Sequence, residues 1–285
     1  MTLRAQGLGY RYPGAAHDAI KDVSLTVGEG EILGLLGPSG AGKSTVQKIL
    51  TRQLVGASGD VWFRERTLDD YGREYLEMIG VAFEQPKLYE RLSGVANLSL
   101  FAGLYDRECV AARSLFKRVG LDGAEEQPVA EYSKGMKHRL ALLRAIQHRP
   151  EILFLDEPTS GSDPATTERL IEVLRHERAR GAAILLTTHD MHVAEALCDR
   201  IALLTSGRLV ACDTPGRLKR AHGRSGVQVD YLESGVLTSQ IIDPATEAGR
   251  QTLNELLAHA EVQSVRSLEA SLAEVFQQLD GAPAA

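Results

Sequence analysis

The stretch that most constrains this chain is Gly37-Pro38-Ser39-Gly40-Ala41-Gly42-Lys43-Ser44-Thr45. It follows an apolar run, Ile32-Leu33-Gly34-Leu35-Leu36, that reads as a buried parallel strand. It leads into Val46, Ile49, Leu50 and Leu54, the apolar stripe of a helix. Strand, glycine-rich loop and helix together turn the string G-x-x-x-x-G-K-[ST] into a phosphate-binding loop. Glycines let successive backbone N–H groups curl around an anion, and the start of the next helix adds partial positive charge. Lys43 is placed to reach the β- and γ-phosphates, and the Ser44 hydroxyl to ligate Mg²⁺. The expected ligand is a nucleoside triphosphate.

Three further apolar runs end in polar residues. Met78–Phe83 leads to Glu84-Gln85-Pro86, Ile152–Leu155 to Asp156-Glu157, and Ala183–Leu186 to Thr187-Thr188-His189. In an open parallel sheet the carboxyl ends of strands face the ligand crevice. Gln85, Asp156, Glu157 and His189 are therefore expected on the phosphate loop's side. Phosphoryl transfer suggests roles for each. Asp156 suits Mg²⁺, Glu157 the orientation and deprotonation of a water, and Gln85 a bridge between metal and water. His189 suits a contact to the γ-phosphate and the attacking water.

The remainder sets the frame. Val23, Leu25 and Val27 alternate with Ser24 and Thr26 as in a strand, and Gly59–Phe63 reads as another. From about Leu92 to Ile146 the pattern is helical, an insertion in an α/β core. Ser162-Asp163-Pro164 signals the start of a helix through Leu170, Ile171 and Leu174. The tail reads as strand (Val227–Tyr231), helix (about Thr246–Ala258), strand (Val262–Val265) and a last helix bearing Leu268, Leu272, Val275, Phe276 and Leu279.

Composition narrows the partners. The net charge is −6, and residues 221–285 alone hold nine acidic residues against three arginines and no lysine. That shift suggests a domain boundary near residue 220, and neither part offers the basic face of a nucleic-acid binder. No apolar run approaches the roughly 18 residues of a membrane span, nor does the start resemble a signal peptide. A cytosolic location is expected, with any membrane role exerted through a partner. Cys109, Cys198 and Cys212 are too scattered for a zinc or disulfide framework.

Taken together, these residues resemble the nucleotide-binding subunit of an ATP-binding cassette (ABC) transporter over roughly residues 1–220. The deciding string is Tyr132-Ser133-Lys134-Gly135-Met136-Lys137, similar to the family's signature loop and 23 positions ahead of Asp156. The resemblance implies a P-loop NTPase (RecA-like) α/β core with an N-terminal antiparallel β subdomain. It also implies a helical signature subdomain at about 86–150 and, at 221–285, a small α+β C-terminal extension. It makes Gln85 the Q-loop glutamine, and it puts Ser160 and Asp163 in the D-loop. His189 becomes the switch histidine, and Tyr12 the aromatic that stacks on adenine. Mg²⁺ would be held by Ser44, Gln85 and Asp156. Ser133, Lys134, Gly135 and Met136 would close over ATP in the P-loop of a second subunit, so that a head-to-tail homodimer sandwiches two ATP molecules.

Lys134 stands where glycine is commonest in the signature, and Ser162 where the D-loop usually has leucine. The Y-S-x-G-M-K form, with Ser267-Leu268-Glu269 through Val275-Phe276 and Leu279-Asp280-Gly281, is similar to ABC-2 type exporters. Such a subunit would act as an ATPase peripheral to the cytoplasmic face of the membrane, bound to separate membrane-spanning permease subunits. The other readings are an import ATPase, whose usual tail is a β-rich barrel, and a soluble ABC ATPase acting on nucleic acid or ribosomes. Only 89 positions separate Ser44 from Ser133, too few for a long coiled coil between them.

Overall fold

A computed structural model describes residues 2–223, 226–233, 235–268 and 270–280. Of the tail residues named above, Glu269 and Gly281 lie outside the described residues. The chain divides into two units, Met1–Asp213 and Thr214–Ala285. The division falls ahead of the charge shift near residue 220, because helix Pro215–His222 packs on helix Leu272–Asp280 of the second unit.

The first unit opens with β1 (Leu3–Tyr10), β2 (Ile20–Val27), β3 (Ile32–Leu36), α1 (Lys43–Leu50), β4 (Ser58–Phe63) and β5 (Arg66–Thr67). Next come α2 (Glu74–Met78), β6 (Ile79–Ala82), α3 (Gly94–Ala102), α4 (Ala112–Phe116) and α5 (Lys134–Ile146). It ends with β7 (Ile152–Asp156), α6 (Pro164–Ala179), β8 (Ala183–Thr187), α7 (Met191–Leu197), β9 (Arg200–Thr205) and β10 (Arg208–Asp213).

A six-stranded sheet runs β10-β9-β3-β8-β7-β6, parallel except for the β9–β10 hairpin. Every residue of β3 and β8 is buried, as covering on both faces requires, which is why these strands read as unbroken apolar runs. The register sets Leu35 beside Thr187, Thr187 beside Asp156 and Leu155 beside Ala82. The carboxyl ends of four strands are thus level, and β3, which feeds the glycine-rich loop, lies between β9 and β8. That arrangement is the topological switch point of a doubly wound sheet.

An antiparallel sheet, β2-β1-β4-β5, covers the other side of α1. Leu3, Leu8, Val23 and Leu25 from that sheet join Leu33, Leu35, Val46 and Leu50 in one core. Phe63, Tyr71 and Tyr75 stack edge to face beside it, and the buried hydroxyls of Tyr71 and Tyr75 donate to the carbonyls of Phe63 and Leu50. The helical insertion consists of α3, α4 and α5, with α5 lying on β6. Gly80 permits that approach, because a Cβ there would lie 2.1 Å from the Ala145 carbonyl oxygen. Asn97, fully buried, ties the loop ahead of α3 by accepting from the Tyr89 N–H and donating to the Tyr89 and Ser93 carbonyls.

Behind β6, His148 is fully buried, its ring stacked 3.9 Å from Tyr105 and its Nε2 2.8 Å from the Ile79 carbonyl. Burial pulls its pKa down to about 4. The ring stays neutral in the folded chain while the unfolded chain takes up the proton below about pH 6.5. Stability is therefore highest above that pH and is lost as pH falls toward 4, by about 3 kcal/mol from this group alone. Denaturant titrations across that range check it, and His148→Gln should flatten the slope.

The second unit comprises α8 (Pro215–His222), β11 (Gly226–Glu233), β12 (Val236–Ile242), α9 (Glu247–His259), β13 (Glu261–Leu268) and α10 (Leu272–Asp280). Its three strands form an antiparallel sheet in the order β12-β11-β13. Neither α8 nor β12 is expected from the sequence: the run Val-Leu-Thr-Ser-Gln-Ile-Ile lacks the alternation that marks a half-buried strand.

Candidate functional site

The loop between β3 and α1 is built by close approach. A Cβ on Gly37 would lie 2.1 Å from the Leu204 carbonyl oxygen, so the loop can rest on β9 only with glycine there. Gly42 caps α1 with φ at +108°, a conformation that L side chains rarely adopt. Helices α3, α5, α6 and α7 are capped by Ser93, Ser133, Asp163 and Asp190 side chains, whereas α1 has no side-chain cap and no acidic residue in its first turn. Val46 is the first of its residues to donate back along the chain, to Gly42. The N–H groups of Lys43, Ser44 and Thr45 precede that bond and are left for an anion.

Lys43 is half-buried, and its Nζ donates to the loop's own carbonyls, Gly37 at 2.7 Å and Pro38 at 3.0 Å. Burial lowers its pKa, while Glu157 and Asp156 act in the opposite direction. The lysine is thus held over the loop beside two carboxylates, poised to exchange carbonyl oxygens for phosphate oxygens.

Asp156, the last residue of β7, lies with Oδ2 3.4 Å from Ser44 Oγ. Its Oδ1 accepts from the Thr187 hydroxyl on the neighbouring strand. Gln47 of α1 donates to the Leu155 carbonyl at 3.0 Å, pinning the helix to the same strand end. A hydroxyl and a carboxylate converging at that spacing are hard oxygen donors of the kind that would hold Mg²⁺. Among the described residues no cluster of three or more His, Cys, Asp or Glu side chains forms a metal site of its own. Gln85 follows β6 in an exposed loop next to β7.

Glu157 has φ at +51°, which strains a residue with a Cβ by roughly 1–2 kcal/mol. Two backbone bonds hold it there: its N–H donates to Thr187 at 3.0 Å, and its carbonyl accepts from Ser160 N–H at 3.1 Å. The conformation leaves its side chain 14% exposed, with Oε1 2.9 Å from His189 Nδ1. His189 is 74% exposed, so a buried-side carboxylate and an outward imidazole form one polar pair at the ends of β7 and β8. A proton on Nδ1 lets the ring donate to Glu157.

The remaining predicted residues are spread around this centre. The Tyr12 hydroxyl lies 3.1 Å from Thr45 Oγ1, and the ring meets Tyr10 edge to face at 5.0 Å. Ser133 caps α5 by accepting from the Met136 N–H at 3.2 Å. Lys134 is exposed, and Gly135 is near Gly161: a Cβ on it would lie 3.6 Å from that carbonyl oxygen. The Asp163 carboxylate caps α6, accepting from the N–H and hydroxyl of Thr166, which hold its pKa below the ordinary value. Thr187 and Gln47 join the site without any signal in the sequence. Neither has a motif of its own, and only the strand order brings Thr187 to Asp156.

The geometry agrees with what the chain is similar to. A family model described as ABC transporter matches residues 20–160. A fluoroquinolones export ATP-binding protein of Mycobacterium tuberculosis (strain CDC 1551 / Oshkosh) is 43% identical over 283 residues, covering 98% of this chain and 93% of that protein. The chain belongs to the ABC transporter ATP-binding family. A lantibiotic transport ATP-binding protein of Streptococcus pyogenes is 32% identical over 67% of this ABC subunit and 82% of its own length. A solved ATP-binding subunit of an ABC transporter superposes with a TM-score of 0.71 at 30% identity, covering 78% of this chain and 94% of that one. A dimeric ATP-binding cassette in a post-hydrolysis state, bound to ADP and Pi, gives 0.67 at 25% identity over 74% of this chain and 98% of that one. The chain is accordingly an ABC ATPase with a P-loop NTPase core.

Proposed function

We propose that this ABC ATPase drives an ABC-2 type exporter, pairing head to tail with a second copy and docking on separate membrane-spanning subunits at the cytoplasmic face. The observation that carries the reading is the 43% identity to the fluoroquinolones export protein, which extends across the cassette and the tail alike. Small drug-like molecules are the matching cargo class.

The residues divide the work. Gly37–Thr45 cradles the triphosphate through backbone N–H groups, and Lys43 neutralises its terminal phosphates. Ser44 and Asp156, with Gln85 beside them, would hold Mg²⁺, which offsets charge on the phosphates when bound. Glu157 takes the proton from the attacking water as the new P–O bond forms and the bond between the γ-phosphorus and the oxygen leaving with ADP breaks. His189 steadies Glu157 and meets the γ-phosphate, and Tyr12 supplies a ring for the base. Ser133 through Met136 act in trans on the partner's nucleotide, with Ser160 and Asp163 lining the seam. Loss of the γ-phosphate then removes what joins the halves.

The docking groove on the cassette lies between β6 and the helical insertion, a cavity of about 460 Å³ lined by Leu76, Phe83, Phe101, Leu104, Tyr105 and Arg144. Leu76 and Leu104 are half exposed, and Phe83 is two residues ahead of Gln85. A short amphipathic helix of a membrane subunit fits such a groove. Among the described residues no helix is long and apolar enough to cross a membrane. Co-expression with a six-helix membrane protein, where one is encoded in a neighbouring gene, should give a complex whose ATPase activity exceeds that of the chain alone. Leu104→Asp should abolish co-purification while leaving basal hydrolysis within about twofold. A complex that survives this change would place docking elsewhere, and failure of any membrane protein to co-purify would overturn the exporter assignment.

A further inference from the structure

The two edges of the small sheet in the second unit differ in kind. Along β13 run the charged residues Glu261 and Arg266, and the β11–β13 register shifts between Asp230 and Tyr231. Charges and irregularities of that sort keep an edge from pairing with another chain. The opposite edge, β12, has none of them. Its seven residues, Val236-Leu237-Thr238-Ser239-Gln240-Ile241-Ile242, contain no charge and no proline, and pair with β11 in continuous register. Val236, Leu237 and Ile241 are 66%, 65% and 68% exposed.

We propose that β12 pairs antiparallel with β12 of a second copy of this chain, joining two three-stranded sheets into one. The pattern of the strand selects this occupant. In a two-fold antiparallel pair centred on Ser239, Leu237 stands opposite Ile241 of the partner subunit and Val236 opposite Ile242 of the partner subunit. Polar Thr238 meets Gln240 of the partner subunit, and the two Ser239 face each other. Opposite residues in an antiparallel pair share a face, so every exposed apolar side chain gains an apolar neighbour. Moving the centre by one residue breaks the match: Leu237 would then meet Ser239 of the partner subunit or Asp243 of the partner subunit. A surface that complements itself about one axis is what an isologous dimer needs.

Charge points the same way. Residues 221–285, which hold the whole sheet, carry nine acidic residues against three arginines, so two copies of this segment repel except where they can meet through an uncharged stretch. The strand is also fastened at its centre. The Asp230 carboxylate accepts from Ser239 on β12 and from Ser264 and Arg266 on β13, at 2.6 Å each, fastening all three strands together.

One strand pair buries far less than the roughly 1,200–2,000 Å² of an independent interface. It therefore adds to a dimer already assembled, where the second β12 is present at high effective concentration. In that respect alone the pairing rests on the dimeric reading above.

Disulfide trapping in the full chain tests it. Ser239→Cys, placed in a Glu157→Gln chain with Mg-ATP, should crosslink under mild oxidation about tenfold more than the parent with its three native cysteines. Thr238→Cys, which faces Gln240 of the partner subunit, should stay near the parent level. Leu237→Lys should cut the Ser239→Cys yield about fivefold, and adding Ile241→Glu should restore it through cross-strand ion pairs. If Mg-ATP dimerises the Glu157→Gln chain on a sizing column and Ser239→Cys still fails to crosslink, even with protein near millimolar, the strand pairing is overturned. A chain that crosslinks through Ser239→Cys yet shows no Mg-ATP-dependent dimer would contradict the nucleotide sandwich and leave the strand pairing intact.

Discussion

Glu157→Gln should lower ATP hydrolysis by about 10²-fold or more while sparing ATP binding. The amide keeps the size of the carboxylate and can still meet His189 across the 2.9 Å contact, so the strained backbone at φ +51° keeps its supports at Thr187 and Ser160. It cannot accept the proton that the attacking water must lose. Binding depends on other groups, chiefly Lys43, Ser44 and the backbone of the loop, and these are untouched. With cleavage blocked and the γ-phosphate retained, the dimer should accumulate with Mg-ATP and sediment as a particle twice the mass. Phosphate release and sedimentation velocity read the two halves separately. Turnover like that of the unaltered chain would remove Glu157 as the base. Slow turnover without a stable dimer would separate the base from the clasp.

The parts of the site that are legible in sequence are those that local chemistry dictates. The strand-loop-helix frame around Lys43 is carried by nine consecutive residues, and β7 and β8 announce themselves because burial on both faces demands continuous apolar runs. The Asp163-Pro164 start of α6 is likewise a local cap, and the structure has that carboxylate on the Thr166 N–H. The level ends of β6, β7 and β8 follow from the rule that ligands sit beyond the carboxyl ends of parallel strands.

What escapes is whatever depends on a distant partner. Nothing local says that Thr187 holds Asp156, that Gln47 reaches Leu155, or that Tyr12 meets Thr45 across 33 positions. The left-handed Glu157 is equally silent, since glutamate has no preference for that conformation and only the two flanking backbone bonds impose it. Strand β12 escapes for a different reason. Its apolar residues sit at both ends rather than on alternate positions, and only Ile242 among them is buried in its own unit.

Lys43→Ala should weaken ATP binding by about 10- to 100-fold, the worth of a charge-assisted hydrogen bond to phosphate at a half-buried position. The lysine's bonds to Gly37 and Pro38 imply a second effect: without them the loop loses two internal ties, so its backbone must be ordered by the nucleotide itself. Fluorescent-nucleotide titration measures the affinity, and an unchanged value would contradict the role of Lys43. The same variant tests whether the site is shared between chains. Ser133→Arg blocks the signature end of a site and leaves the loop of its own chain intact. Each variant alone should be inactive, since every site in its homodimer lacks one half. In a mixed population, half the particles contain one chain of each kind, and one of their two sites unites an intact Lys43 with an intact Ser133. Phosphate release should then recover to about a quarter of the unaltered level. With the two variants carrying different affinity tags, the mixed particle can be isolated and its activity read directly. An isolated mixed dimer with no activity would remove Ser133 from the partner's site and return the signature helix to a purely structural role on β6.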